Sequence, residues 1–304
     1  MDVRAVLWAL AAAFCFNLET VFVKLMGGAV PVSTIVLVRA LGQVAFTLPA
    51  LHGHGLSLLR TDRLGLHLLR GGLSLLSWAA YYLSFQYLDL ASATVISFTS
   101  VMFVTALAGP VLGEIVRWRR WSATLLGFAG VVMVARPGAG DTAEAWVFAS
   151  ALLSAACGAG IVLSTKMLAR SERTQTIMVY IGIVTTLGAL PFAVPALAWP
   201  GWTQAGWLLA MAISGPAGMF LWITALRMAD ASALAPVSYT RLIFALAIGF
   251  LVFREIPHAW TLAGAAVIVL SALYITYREA KVAHAKPAAL AAKPPSGNVP
   301  RPER

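Results

Sequence analysis

Long apolar stretches recur from one end of the chain to the other, and they restrict its fold more than any other feature. A helix needs about 20 apolar residues to cross a hydrocarbon layer about 30 Å thick, whereas a membrane β-barrel would show segments of about ten alternating residues. The stretches are of the first kind. We therefore predict an all-α membrane protein with ten transmembrane helices, near residues 4–26, 32–51, 66–88, 91–113, 119–136, 145–168, 175–197, 203–226, 232–253 and 258–277.

The composition excludes several other classes of protein. Of the 304 residues, 60% are hydrophobic and 11% are charged, and the mean hydropathy is +0.83. A soluble domain carries about 25% charged residues. A water-soluble enzyme, a disordered chain and a collagen-like repeat are therefore excluded.

The net charge of +10 is interpreted as membrane topology, and no nucleic-acid partner is expected, because the basic residues lie mostly between apolar stretches and in the tail. Positive loops stay cytoplasmic, which predicts both termini in the cytoplasm of a bacterial-type inner membrane. The segment 279–304 is predicted to be a disordered basic tail. With this orientation the outside ends hold only Lys24, Arg136 and Arg254, and the inside ends before the tail hold Arg4, Arg60, Arg63, Arg70, Arg117, Arg119, Arg120, Lys166, Arg170, Arg173 and Arg227.

Catalytic and metal sites are not expected. Cys15 and Cys157 both lie within apolar stretches, where packing is the simpler role, and no metal-ligand cluster has a recognised spacing. The histidines lie in loops, at a span edge or in the tail, and no GxxxxGK[ST] phosphate loop occurs. We therefore expect no enzyme activity, no cofactor and no ATP hydrolysis by that route.

The two halves of the chain repeat each other, and the repeats are predicted to cover residues 4–138 and 145–278. Each half contains five predicted spans, an odd number, so the second half must enter the bilayer with the opposite orientation. Inverted duplication is typical of secondary transporters, whose substrate site lies near the midplane between the halves. Shifts of about 141 or 142 residues match Cys15 with Cys157, Lys24 with Lys166 and Glu114 with Glu255.

Segments within both repeats carry a family resemblance. Tyr81–Gly138 contains LASATVISFTSVMFVTALAGPVLGE, and Leu226–Tyr277 contains APVSYTRLIFALAIGFLVFREIP. Both resemble the end of an EamA domain of the drug/metabolite transporter superfamily. The resemblance covers about residues 4–278 and implies a ten-helix inner-membrane carrier of amino acids, nucleosides, vitamins or other metabolites, for import or export. The first helix pair also fits the family's opening pattern, with Asn17, Lys24, Pro31 and Arg39.

The middle of spans four and nine departs from the family pattern. Many EamA domains have a proline there, where this chain has Thr99-Ser100 and Thr240-Arg241. With SYTRL followed by FREIP, this departure is more similar to the branch of S-adenosylmethionine uptake carriers than to aromatic amino acid exporters. The resemblance thus implies a cargo such as an amino acid or S-adenosylmethionine.

Ionisable residues inside predicted spans cost roughly 2.5–3.5 kcal/mol each on insertion scales, so each requires a partner or a function. Glu19 and Arg39 lie at matching depths, about seven residues or roughly 10 Å below the outer surface. One interpretation is a buried ion pair that pins the first two helices. The other is a pair bordering the cargo cavity, in which Glu19 takes a proton or a cationic group and Arg39 holds a carboxylate. The repeat puts Ile161 opposite Glu19, and this asymmetry favours the second interpretation.

Arg241 lies near the midplane of span nine. Spacing by three puts it on one helix face with Ala235 and Ser238, and the repeat relates this stripe to Thr94, Ser97 and Ser100. The stripes could permit close helix packing, with Arg241 bonded to a backbone carbonyl. Alternatively both face a wet cavity, where Arg241 attracts an anionic or zwitterionic solute. We favour the cavity because Glu19 is the only acid well inside a span and is already matched with Arg39.

Aromatic residues and helix breakers add further candidates. Trp78 and Tyr82 share a face at a spacing of four and could stack on a ring or cover a cation, although membrane interfaces and packing use the same residues. The motif Gly215-Pro216-Ala217-Gly218 is predicted to interrupt span eight and to permit a kink. Tyr180 is a further candidate. The predicted substrate-binding residues are Glu19, Arg39, Trp78, Tyr82, Ser97, Ser100, Trp222, Ser238, Tyr239 and Arg241.

The sequence therefore predicts a secondary-active, alternating-access transporter of a small carboxylate-bearing or zwitterionic metabolite. Its expected partners are this solute, the lipid bilayer and a coupled proton or counter-solute. The alternatives are an exporter of amino acids or other metabolites, a carrier of a riboflavin-like vitamin, and a passive solute channel. A receptor or scaffold would leave the inverted duplication and the buried arginines without an explanation.

Overall fold

The computed structural model describes residues 3–112, 118–135, 142–169, 171–228, 237, 240–271, 273, 274 and 277. The described residues form helices joined by short connections, without a β-strand, as predicted. The helices are α1 (Val3–Leu25), α2 (Val32–His54), α3 (Leu64–Tyr87), α4 (Leu90–Ser97), α5 (Ser100–Leu112), α6 (Trp118–Ala135), α7 (Thr142–Leu168), α8 (Thr174–Ala193), α9 (Trp202–Met228), α10 (Thr240–Phe253) and α11 (Ala259–Ser271). Short 3₁₀ helices lie at Gly55–Leu59 and Val194–Ala196.

Within these ranges, five helical segments are long and apolar enough to cross a membrane by length and composition. They coincide with the predicted spans one, two, six, seven and eight. Large apolar side chains such as Leu41 and Leu209 face outward, whereas polar side chains such as Gln43 are buried. This inside-out distribution is expected where lipid replaces water. The five segments are Val3–Leu25, Val32–Ala50, Ala145–Leu168, Thr174–Ala196 and Trp202–Ala225.

Helix α3 corresponds to the third predicted span and has a polar face. Its 24 residues give a length of about 36 Å. The side chains of His67, Arg70, Ser74 and Tyr82 are all buried, so the polar face is turned into the bundle, where polar groups in a membrane helix are tolerated. The hydropathy of α3 is therefore low because its polar side chains face the interior of the helix bundle.

The fourth predicted span is not one continuous helix. It divides into α4 and α5 at Phe98-Thr99, where backbone bonds close three-residue turns, from Thr99 N to Ile96 O and from Met102 N to Thr99 O. The hydroxyl of Thr99 also donates to the carbonyl of Ile96 at 2.7 Å. Such local bonds compete with the helix ladder. Thr94 and Ser97 therefore lie on α4, whereas Ser100 begins α5; that the three share one face stays a prediction.

Helices from the two halves of the chain pack against each other. Helix α1 lies along α9, α2 lies along α8 and α9, and α3 lies along α7 and α8. Glycine permits these close approaches: Gly42 lies against the Ala212 backbone, and Gly218 faces Cys15 and Phe16. A site between these helices therefore belongs to both halves.

Helix α9 continues through Gly215-Pro216-Ala217-Gly218, with Pro216 inside the helix. The predicted interruption of span eight is therefore absent. The two glycines of this motif instead let α1 approach α9 closely, with Glu19 against Gly215 and Cys15 against Gly218.

Candidate functional site

A group of buried polar side chains lies where α1, α2 and α3 meet. Nε of Arg39 donates a hydrogen bond to Oε1 of Glu19 at 3.0 Å, and Nη1 of Arg39 donates to Oε1 of Gln43 at 2.9 Å. The hydroxyl of Tyr82 donates to the same Glu19 oxygen at 2.5 Å. Each of these four residues is at most 5% exposed, so the bonds form a charge-assisted network shielded from solvent. Together with Trp78, the four residues are called the central cluster.

Trp78 fixes the orientation of the Arg39 guanidinium. The guanidinium carbon lies 3.5 Å from the centre of the indole ring, which is a cation–π contact. A guanidinium can stack through its face while it donates hydrogen bonds from its edge. Arg39 does both, so its position is set by Glu19 on α1, Gln43 on α2 and Trp78 on α3.

Helix α9 closes the central cluster from the second half of the chain. A Cβ built on Gly215 would lie 2.5 Å from Oε1 and 2.7 Å from Cδ of Glu19. Any larger residue at this position would displace the carboxylate. Because Gly215 has no side chain, α9 of the second half can contact the central cluster.

Arg241 lies beside the central cluster and makes its own contacts. Its Nη2 donates to the hydroxyl of Tyr81 at 2.8 Å, and its guanidinium carbon lies 5.5 Å from the centre of the Phe16 ring. Tyr81 precedes Tyr82 on α3, and the centres of their rings are 6.3 Å apart. Within the described ranges, no carboxylate forms an ion pair with Arg241. Its charge is therefore met by a phenol and an aromatic face, neither of which carries a negative charge.

Two nitrogen donors at this site have no acceptor among the residues that the structure describes. They are Nε2 of Gln43 and Nε of Arg241, and both atoms are buried. Because Arg39 donates to the Gln43 oxygen, the amide nitrogen of Gln43 is the atom left over. A buried donor without an acceptor carries a desolvation cost of about 1–3 kcal/mol. A ligand that supplies oxygen acceptors would remove that cost.

The structure brings some of the predicted site residues together and separates others. Glu19, Arg39, Trp78 and Tyr82 form the central cluster, and Arg241 reaches it through Tyr81. Ser97 donates to the carbonyl of Thr94 on its own helix. Ser100 begins α5, where it lies near Gly158 of α7.

The remaining candidates lie elsewhere. Trp222 packs against a separate apolar group that includes Ala5, Ala9 and Ala225. Ser238 and Tyr239 lie outside the described residues. The hydroxyl of Tyr180 donates a hydrogen bond to the carbonyl of Leu59 at 2.7 Å, near the amino-terminal end of α3.

The sequence reasoning missed Gln43 and Arg70. Gln43 follows Arg39 by four residues in the same helix, a spacing at which side chains meet. Arg70 was grouped with the charges at the cytoplasmic ends, but it is 1% exposed and lies within α3. The signal that would have found it is its helical spacing from Ser74, Trp78 and Tyr82.

The structure contains no grouping suited to a resident metal within the part of the chain it describes. No three His, Cys, Asp or Glu side chains come close enough there to hold an ion. Cys15 is half-buried and Cys157 is buried, and both are free thiols.

An ion pair ties the halves together at the end of α1. Nζ of Lys24 contacts Oε1 of Glu255, and it also donates to the carbonyl of Leu88 at 2.8 Å. The other Glu255 oxygen accepts from the backbone N–H of Leu90 at 3.0 Å. Lys24 and Glu255 thus both bind the backbone of the link between α3 and α4. Glu255 therefore has a structural role, with Lys24 as its charged partner; its repeat counterpart Glu114 lies outside the described residues.

Comparison with known proteins identifies the family. Residues 3–136 and residues 144–277 each match the family model described as EamA-like transporter family. This chain belongs to the EamA-like transporter family. The predicted resemblance is therefore confirmed, and the apolar helices together with this membership make it a multi-pass membrane protein.

Curated relatives of this EamA protein match over nearly their whole length. A protein of Rickettsia bellii named S-adenosylmethionine uptake transporter is 29% identical over 275 residues, which cover 90% of this chain and 94% of the relative. A riboflavin transporter of Vibrio cholerae is 31% identical, covering 91% of this chain and 94% of the relative. A pseudopaline exporter of Pseudomonas aeruginosa is 27% identical, covering 89% of this chain and 95% of the relative.

A solved structure shares the fold. It superposes with a TM-score of 0.66 at 17% sequence identity, covering 93% of this chain and 99% of that chain. Its name, "Crystal structure of protein", states no activity.

Proposed function

We propose that this EamA protein is a secondary-active, alternating-access transporter of a small carboxylate-bearing or zwitterionic metabolite of the S-adenosylmethionine type. The proposal includes a bacterial-type inner membrane with both termini in the cytoplasm. It also includes ten spans arranged as two inverted five-helix repeats, over residues 4–138 and 145–278. A coupled proton or a counter-solute drives the cycle.

The charge balance inside the bundle is the observation that carries the proposal. Arg39, Arg70 and Arg241 place three guanidinium groups among the packed helices, and the ion pairs of the described residues neutralise one of them, through Glu19. A cation without a counter-charge is costly in a medium of low polarity. A carboxylate on the cargo lowers that cost and gains a charge-assisted hydrogen bond.

The geometry assigns different roles to the two sides of the site. The free N–H donors of Gln43 and Arg241 suit the carboxylate oxygens of a zwitterion. Glu19 suits its cationic group, or a proton that replaces it. Binding of the cargo would then redistribute the bonds that Glu19 makes with Arg39 and Tyr82, which links occupancy to the packing of α1, α2 and α3.

The names of the relatives support a metabolite carrier and leave a choice of cargo. S-adenosylmethionine carries a sulfonium, an ammonium and a carboxylate, which fit a site with both an acid and unpaired guanidinium groups. Riboflavin carries no carboxylate and would use the N–H donors without neutralising them. The charge balance therefore favours the zwitterion.

A binding experiment on the purified protein tests this choice. S-adenosylmethionine, decarboxylated S-adenosylmethionine and riboflavin are added separately, and the ligand-induced shift in unfolding temperature is measured. We expect the shift with S-adenosylmethionine to exceed the other two and to vanish in Arg241→Ala. Equal shifts with and without the carboxylate would contradict the proposed cargo class.

A further inference from the structure

A second polar network closes the end of α3 that lies opposite Lys24 and Leu88. Glu172, between α7 and α8, accepts a hydrogen bond from Oγ1 of Thr61 at 2.6 Å, and its Oε1 lies 3.9 Å from Nε2 of His67. The His67 ring stacks on Tyr180 with centres 4.4 Å apart, and Tyr180 in turn bonds to the carbonyl of Leu59. These five residues, called the Glu172 closure, join the two halves.

The Glu172 closure and the contact of Lys24 with Glu255 and Leu88 lie at opposite ends of the same helix. His67 and Leu88 are 21 positions apart, which corresponds to roughly 31 Å along α3. Outside the Glu172 closure lies a cleft of about 260 Å³, lined by Ser57, Arg60, Ser171, Glu172, Arg173 and Thr176. The cleft is basic and polar, so an anionic solute would be drawn to this face.

Arg70 lies one turn inside the Glu172 closure. It follows His67 by three positions on α3 and is 1% exposed. Its Nε donates to Oγ1 of Thr165 at 2.8 Å, and its Nη1 donates to the hydroxyl of Ser74. Within the described ranges it forms no ion pair. The hydroxyls satisfy donors but leave the charge itself without a counter-charge.

Arg70 also lies on the face of α3 that carries Trp78 and Tyr82 of the central cluster. Residues 70, 74, 78 and 82 follow each other at a spacing of four and share one face of α3. Trp78, which stacks on Arg39, is about 12 Å farther along the helix. Arg39 and Arg70 both carry a positive charge. An anion between these positions would be attracted by both guanidinium groups.

We propose that Arg70 is a second anion station, which binds the carboxylate of the cargo when the Glu172 closure opens. This inference rests on the proposed function and extends it: the carboxylate passes between the central cluster and Arg70 on its way through the protein. In the present structure Arg70 is buried and does not line the cleft. Ser74 and Thr165 orient the guanidinium, and Glu172 controls access to it.

The first test uses the native arginine in the full-length protein reconstituted in vesicles. An arginine-directed dicarbonyl reagent is applied from the side of the cleft, and modification of Arg70 is followed by peptide mass spectrometry. We expect modification to be at least tenfold faster in Glu172→Ala than in the unaltered protein. S-adenosylmethionine should slow it at least fivefold, and decarboxylated S-adenosylmethionine should not. Exposed Arg63 is the internal control and should react alike in every sample.

Three results of this test would overturn the inference. One is an Arg70 that reacts no faster in Glu172→Ala while Arg63 reacts normally. Another is equal protection by the decarboxylated compound. The third is full protection by chloride alone, which would make Arg70 the site of an inorganic counter-ion. If Glu172→Ala does not fold, Thr61→Val removes one bond of the closure and serves in its place.

The second test separates this inference from the proposed function. Arg70→Gln and Arg70→Lys are compared for S-adenosylmethionine binding and for exchange across the vesicle membrane. We expect Arg70→Gln to bind within about threefold of the unaltered protein but to exchange at least tenfold more slowly, with partial rescue in Arg70→Lys. An unaltered protein that neither binds nor exchanges the compound defeats the proposed function. Normal exchange in Arg70→Gln defeats only the second station.

Discussion

The carboxylate of Glu19 lies against the bare backbone of Gly215, so that one half of the chain carries the acid and the other leaves the space for it. A Cβ on Gly215 would approach the Glu19 oxygen to 2.5 Å. Glu19 cannot simply withdraw, because Arg39 and Tyr82 both hold the same oxygen. The contact therefore couples the packing of α1 on α9 to the charge network.

Replacement of Gly215 by alanine is expected to disturb the central cluster. Overpacking of this kind costs about 1–3 kcal/mol, and part of that cost would appear as a misplaced Glu19. We expect a lower unfolding temperature and weaker binding of S-adenosylmethionine. Gly206→Ala is the matched control on the same helix, because a Cβ there meets nothing within 4 Å. If the two variants behave alike, the Gly215 contact has no special role.

The buried pair of Glu19 and Arg39 allows its packing role to be separated from its binding role. Arg39→Gln leaves a buried carboxylate unpaired, which is expected to cost about 3–5 kcal/mol of stability. Combining it with Glu19→Gln removes both charges and should recover much of the loss in thermal unfolding. Uptake should stay abolished in the double variant. Recovery of uptake together with stability would reduce the pair to a helix pin.

The single variant Glu19→Gln tests whether transport is coupled to a proton. If Glu19 exchanges a proton for the cationic group of the cargo, the amide variant loses the response of uptake to an imposed pH gradient. The measurement is initial uptake into proteoliposomes with and without that gradient, at one external pH. An unchanged response would leave a counter-solute as the driving partner.

Arg241 depends on Tyr81 for its only described hydrogen bond. Tyr81→Phe removes the hydroxyl that accepts from Arg241, so the guanidinium is no longer held in place. We expect the free energy of S-adenosylmethionine binding to weaken by about 1.5–3 kcal/mol, which corresponds to a tenfold or larger rise in Kd. Arg241→Ala should abolish transport while the protein still inserts. Tyr87→Phe is the control, since Tyr87 lies on the same helix but is 63% exposed. Equal affinities for the two tyrosine variants would remove Arg241 from the site.

Exchanging the charges of Lys24 and Glu255 is not expected to restore the function of their contact. Lys24 must donate to the Leu88 carbonyl, and Glu255 must accept from the Leu90 N–H, so exchanging the residues gives each backbone group the wrong partner. We expect Lys24→Glu, Glu255→Lys and the double variant all to slow uptake. Rescue by the double variant would show that only the ion pair matters there.

Some of this site could be predicted from the sequence. Equal distances of Glu19 and Arg39 from a short helix link placed them at one depth, and the structure pairs them at 3.0 Å. The spacing of four between Trp78 and Tyr82 correctly put both on one face of α3. Such predictions succeed because they depend on helix geometry within a few neighbouring turns.

Other features depend on contacts that no local pattern records. Counting charges grouped Arg70 with the cytoplasmic loops, because its hydrogen-bond partner Thr165 is 95 residues away along the chain. Tyr81 and Arg241 are 160 positions apart. The division at Phe98-Thr99 occurs without proline, through hydroxyl groups that bond to their own backbone, and so a span of suitable length was predicted as one helix.

The most direct test of a carboxylate-recognising carrier is exchange of labelled S-adenosylmethionine across proteoliposome membranes. The account predicts saturable uptake that is stimulated at least fivefold by unlabelled S-adenosylmethionine inside, but not by its decarboxylated analogue, and that is lost in Arg39→Gln. Uptake that rises linearly with concentration, or that persists in Arg39→Gln, would contradict it.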